Sequence, residues 1–189
     1  MLSTKELELV TNPNIILTKN AIIGKVYDLF GQLSEAYKTA LTNKELLAIG
    51  PKIARGENYQ GLPWVMLDFP RKFTQSDTMA IRSFFWWGHF FSITLQLTGT
   101  SKDKLLPQLM ASLETEDWTG WYLGVGADEW RHDFEPDNYL PLTAANVHAI
   151  MEQGVIKLAT KIPLQEWDDA NLFFQENYKR LVGQLQLVG

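Results

Sequence analysis

The 189-residue chain has no cysteine. That excludes a disulfide framework, a thiolate-bound zinc or iron–sulfur centre and a thiol nucleophile, and it agrees with a reducing compartment. Histidine is scarce: His89, His132 and His148 are the only three, and they are spaced too far apart for a local metal motif. A surplus of basic residues is also missing. Seventeen Lys and Arg stand against 22 Asp and Glu, a net charge of −5, so nucleic acid is not an expected partner. No run approaches the roughly 20 apolar residues of a membrane span. The longest apolar stretch, 83–97, is broken by Gly88, His89, Ser92, Thr94 and Gln96. The opening MLSTKELE holds acidic groups where a signal peptide has a basic start and an apolar run. These absences lead to the expectation of a cytoplasmic protein without membrane contact. Phosphate loops, dinucleotide fingerprints, Gly-x-Ser-x-Gly and His-Glu-x-x-His are absent too, so no cofactor or metal is expected.

What is present is an ordinary globular composition, 46% hydrophobic, with seven tryptophans. Apolar residues at Ile22, Val26, Leu29, Phe30, Leu33, Tyr37 and Leu41 fall at three-and-four spacing and predict a helix over 14–41, opened by Asn12-Pro13. Asn43 predicts the cap of a short helix over 43–49, which Gly50-Pro51 ends. The run 62–69, closed by Pro70, predicts a buried strand. Further along, Ser101 predicts the cap of a helix over 101–112 that carries Pro107. A hairpin is predicted over 121–134, turning at Gly126-Ala127-Asp128. A helix over 143–153, capped by Thr143 and ended by Gly154, precedes a strand over 155–162. The last helix, 164–187, is expected to bury Trp167, Leu172, Phe173, Leu181 and Leu185. Tight turns impose antiparallel pairing. The expected fold is therefore α+β: one domain over 1–189, with an antiparallel sheet of five or six strands covered by helices on one face and long N-terminal and C-terminal helices.

The centre, Trp86-Trp87-Gly88-His89-Phe90-Phe91, carries the candidate site. Gly88-His89 reads as a two-residue hairpin loop. That register pairs Trp87 with Phe90, Phe85 with Ser92, Ser83 with Thr94 and Ile81 with Gln96. Trp86, Phe84, Arg82 and Ala80 then share an apolar face with Phe91, Ile93, Leu95 and Leu97. Rings among small polar groups on the first face suit a ligand cleft or a partner surface, although a covering helix would explain them equally. Arg82 in an apolar face needs a partner. Asp68 is the nearest candidate, giving either a structural ion pair or an anchor that grips an anion. In Glu129-Trp130-Arg131-His132-Asp133, a strand would align Glu129, Arg131 and Asp133 on one face. His132 beside them is either a half-buried structural residue or a general base.

The candidate ligand-binding set is thus Arg82, Trp87, Phe85, Phe90, His132 and Asp68, for a small anionic or aromatic ligand. Two alternatives stand beside this non-catalytic binding reading: a hydrolase using His132 with Asp133 or Asp68, and a homodimer formed through exposed aromatics. Tyr59-Gln60-Gly61-Leu62-Pro63, followed by a strand and a long aromatic hairpin, resembles the YktB-like bacterial family over the central half of the chain. The family's biochemical role is unassigned, so the resemblance implies an α+β fold and no particular activity.

Overall fold

Side chains that cap their own backbone open the first helices. In the computed structural model, which describes residues 1–187, Ser3 and Glu6 form a capping box at the start of α1 (Thr4–Thr11). Asn12 accepts from the Asn14 amide and opens α2 (Pro13–Ala40), with Pro13 in its first turn. Ile23, Val26, Phe30, Leu33 and Tyr37 form the buried stripe of α2; Ile22 is only half-buried. Asn43 accepts from the Glu45 and Leu46 amides and caps α3 (Lys44–Ile49).

Seven strands follow: β1 (Lys52–Tyr59), β2 (Leu62–Phe73), β3 (Thr78–Trp86), β4 (Phe90–Leu97), β5 (Tyr122–Gly124), β6 (Tyr139–Pro141) and β7 (Ile156–Pro163). They form one sheet in the order β1-β2-β3-β4-β7-β5-β6, with every neighbouring pair antiparallel. β1 had no apolar signal because it is an edge strand carrying Lys52, Arg55 and Glu57. β2 runs past Pro70 because a register shift between Asp68 and Arg71 removes the need for a ladder amide there.

The central turn contains three residues rather than two. Trp86 pairs with Phe90, Phe85 with Phe91, Ser83 with Ile93 and Ile81 with Leu95. The His89 amide donates to the Trp86 carbonyl, and the imidazole stacks on the Trp86 indole at 3.5 Å. One extra residue reverses which face β3 shares with β4. Met79, Ile81 and Phe85 now join Phe91, Ile93, Leu95 and Leu97 in the main core. Each side chain so buried contributes about 1.5–3 kcal/mol, so the summed gain outweighs the local preference for a shorter loop.

The main core lies between this face and the helices. Phe174 of α5 (Ala170–Gln184) meets Phe30 and Phe91 edge to face, and Tyr178 stacks on Tyr37. α5 is preceded by a 3-10 helix, Leu164–Asp169, kinked at Glu166. The kink rotates the apolar stripe onto Ala170, Phe174, Tyr178, Leu181 and Val182. Leu172 is therefore exposed, Trp167 and Phe173 are half-buried, and Leu181 and Leu185 are buried as expected.

Three local expectations are corrected. α4 spans Gly99–Thr115, and Ser101 is not its cap: the Ser101 amide donates to the Asp77 carboxylate at 2.7 Å, so the β2–β3 turn supplies the cap. Pro107 sits on the exposed side of α4 and does not end it. The hairpin over 121–134 does not form. β5 pairs with β6 instead, and residues 125–138 make a loop, in which Asp128 accepts from the Trp130 amide and Asp133 from the Glu135 amide. Such short-range bonds compete with a strand ladder. Finally, 143–153 holds only a 3-10 helix, Val147–Glu152, because Asn146 rather than Thr143 closes the preceding turn. Among the described residues, no helix is long and apolar enough to cross a membrane.

Candidate functional site

The sheet face turned away from the helices carries Trp64, Met66 and Asp68 from β2, Arg82, Phe84 and Trp86 from β3, and Phe90, Ser92, Thr94 and Gln96 from β4. The 125–138 loop lies over this face and is tied down at several points. Lys157 of β7 donates to the Arg131 carbonyl at 2.5 Å, and Gln96 donates to Glu129 at 2.9 Å. The Tyr59 hydroxyl accepts from the amides of His132, at 2.7 Å, and Asp133, at 3.2 Å. Between loop and sheet is a cleft of about 310 Å³, lined by Asn58, Tyr59, Trp64, Met66, Arg82, Phe84, Trp130 and His132. Gly56 makes room for one wall: a Cβ there would lie 2.4 Å from the Trp64 indole nitrogen.

Arg82 is buried, as is Asp68. Its Nε donates to Asp68 Oδ1 at 2.8 Å, and its Nη1 reaches Gln96 Oε1 at 3.4 Å. The guanidinium is also held against the rings of Phe73, at 5.4 Å, and Trp130, at 5.2 Å. The two readings of Arg82 therefore meet in one residue. Its charge is answered by Asp68, yet it still forms part of the cleft wall.

His132 is 8% exposed. Its ring packs 4.8 Å from Phe84 and 5.9 Å from Tyr59. Burial, with the cations of Arg82 and Lys157 nearby, holds its pKa well below the ordinary value. The imidazole is therefore neutral near pH 7, with one nitrogen a donor and the other an acceptor. Among the described residues, no group hydrogen-bonds its ring. Asp133 is instead engaged by Arg131 at 2.8 Å, by Gln60 at 3.1 Å and by Tyr59 at 3.3 Å. Burial pushes its carboxyl up, but these partners, Arg131 foremost, hold it below the usual range. Glu129, Arg131 and Asp133 do not form a strand row. Arg131 bridges Asp133 and Asp137, and Glu129 pairs with Gln96.

Of the expected site residues, the cleft contains Arg82 and His132, with Asp68 behind Arg82. Phe90 shares the face but packs with Trp86 and Phe134. Phe85 and Trp87 are on the opposite side: Phe85 is buried against Trp167, and Trp87 stands in the turn. The parity of the turn misplaced both. Counting three turn residues puts Ser92, Thr94 and Gln96 of β4, in place of Phe91, Ile93 and Leu95, on the face that Arg82, Phe84 and Trp86 share, and the alternation Trp64, Met66, Asp68 adds the β2 wall. Trp130 and Tyr59 had no comparable signal, because loop closure places Trp130 and a register shift between Gly56 and Tyr59 at the end of β1 places Tyr59.

Larger depressions exist. One of about 700 Å³ lies on the far side of the Phe73–Trp130 wall, and one of about 460 Å³ adjoins Trp118 with Glu114, Glu116 and Asp117. Neither contains a buried histidine. Among the described residues, no cluster of His, Asp or Glu could hold a metal ion. The chain matches no family model, no curated protein and no solved structure, which leaves geometry and chemistry to carry the functional reading.

Proposed function

We propose that this protein binds a small, flat, aromatic molecule in the cleft between β2, β3 and the 125–138 loop, without transforming it. The observation that carries the reading is His132, a neutral and largely buried imidazole that lines an aromatic cleft with no hydrogen-bond partner of its own. Its ring nitrogens are not sealed from solvent, so one donor and one acceptor are open to a ligand that enters the cleft. Tyr59, Trp64, Phe84 and Trp130 offer ring faces for stacking, and the volume is at the small end for ligand sites, suited to one or two fused rings. Arg82 is already matched by Asp68, which favours an uncharged ring over a carboxylate or phosphate. Among the described residues, no carboxylate orients the His132 ring as a hydrolytic relay would require.

Thermal-shift titration with indole, nicotinamide, adenine and benzoate tests the reading. At least one of the three uncharged heterocycles is expected to raise the midpoint in a concentration-dependent way, and benzoate to do so less. His132→Leu and Phe84→Ala are expected to abolish the shift, and Trp87→Ala to preserve it. No shift with any probe, or a shift that persists in both cleft variants, rejects the cleft as the site.

A further inference from the structure

Phe73 and Trp130 are the aromatic members of the exposed apolar surface among the described residues; its largest share is aliphatic and lies at one end of the chain. Leu7, Leu9, Val10, Ile15, Ile16 and Leu17 are each between 42% and 69% exposed. No residue of α1 is buried, and burial in α2 begins only at Ile23. Residues 13–18 therefore stand off the body, an overhang of about 9 Å at the helical rise, before Lys19 reaches Glu57 of β1. The apolar period does not stop where the body does. Tyr37, Phe30 and Ile23 are successive sevens along the buried stripe of α2, and the next step back is Ile16. A stripe that packs on the sheet thus continues beyond it with nothing beneath. α1 has eight residues, too few for a stable helix in water without an apolar contact.

We infer that α1 and the overhanging start of α2 form a two-fold interface with a second copy of this chain. Area supports this occupant: the exposed parts of Leu2 and the six residues above sum to roughly 700 Å² over both helices, and a contact that wraps them approaches the roughly 800 Å² that each partner contributes to a standard interface. The shape is suitable too, since a groove of about 420 Å³ between the helices, walled by Leu9, Val10, Ile15 and Ile16, can receive the same side chains of the other copy. The charges around the patch are of both signs, Lys5 with Glu6 and Glu8. That balance suits a self-complementary contact, whereas an anionic lipid surface selects Lys- and Arg-rich faces. Self-association through the nearby sheet edge is opposed by Lys52, Arg55 and Glu57 on β1. This interface is independent of the cleft.

Light scattering on the full chain reads the mass directly. At roughly 100 µM protein, the wild type is expected at twice the 21.6 kDa chain mass. Leu7→Asp/Val10→Asp/Ile16→Asp is expected at the single-chain mass with an unchanged near-ultraviolet circular dichroism spectrum, since none of the three side chains is buried. Leu172→Asp, which charges an exposed leucine on α5, is expected to remain dimeric. A monomeric wild type overturns the inference. So does a dimer that survives the triple substitution, or one that Leu172→Asp dissociates, because either places the contact elsewhere.

Discussion

Trp86 and Phe90 stand opposite each other across the β3–β4 pair, leaving Trp87, Gly88 and His89 to make the turn. Adjacent tryptophans thereby acquire different environments. Trp86 is buried, and its indole N–H donates to the Tyr59 carbonyl at 3.2 Å. Trp87 is half-buried in the turn. Trp86→Ala is expected to cost about 3–5 kcal/mol in urea unfolding, and Trp87→Ala about 1–2 kcal/mol. Equal losses would contradict the three-residue turn.

The Arg82–Asp68 pair makes a second test. Both side chains are buried, and the pair is bidentate. Arg82→Met strands a buried carboxylate and is expected to cost about 3–5 kcal/mol. Arg82→Met/Asp68→Leu removes both charges and is expected to recover most of that loss. A double variant as unstable as the single one would mean that cation–π packing against Phe73 and Trp130, rather than charge pairing, dominates the role of Arg82.

Stability should depend on pH at both ends of the neutral range. The pKa of His132 is depressed in the folded state by burial, so below pH 6.5 the unfolded chain takes up a proton that the folded chain refuses. Stability is therefore lost as pH falls from 6.5 toward 5, and His132→Phe is expected to flatten that slope. Burial pulls Lys157 down from 10.5 to about 8. Between those values the unfolded chain keeps a proton that the folded chain has released, so stability rises with pH. Tyr37, Tyr139 and Tyr178, raised by burial, reverse the trend once unfolded phenols ionise near pH 10. Denaturation midpoints between pH 8 and 10 are expected to climb in the wild type and to stay level in Lys157→Met.

Asp77 caps α4 from another part of the chain. Burial would raise its pKa, but bonds from Lys72 and the Ser101 amide hold the carboxylate well below its ordinary range. Asp77→Ala is expected to cost about 1–2 kcal/mol, measured by thermal or urea unfolding at pH 7. Ser101→Ala is expected to cost less, because it keeps the backbone amide that makes the 2.7 Å bond and removes only the added hydroxyl bond. The reverse order would restore Ser101 as the cap.

The α+β class, α2, α3, β7 and the partnership of Arg82 with Asp68 were legible in the chain. Each depends on short-range signals: Asn12 and Asn43 beside the amides they cap, a stripe at helical spacing, or a lone charge amid apolar neighbours that requires a counter-charge. β1 was not legible, since an edge strand has no need to alternate and this one is charged. The 125–138 loop was not legible either. Its residues alternate as a strand would, but Asp128 and Asp133 bond to amides close by.

Residue chemistry within a turn or two was enough to identify α2 and α3 and to show that the centre doubles back; α1 gave no reading, and 143–153 reads as too long a helix. It could not set the length of the turn at Gly88, because two-residue and three-residue loops both tolerate glycine there. Packing chose between them by placing Met79, Ile81 and Phe85 with Phe91 and Ile93 beneath α2 and α5. That choice depends on Phe30 and Phe174, each more than fifty positions from the turn. It also sent Phe84 and Arg82 to the face where His132 waits, so the cleft is a consequence of how the opposite face filled.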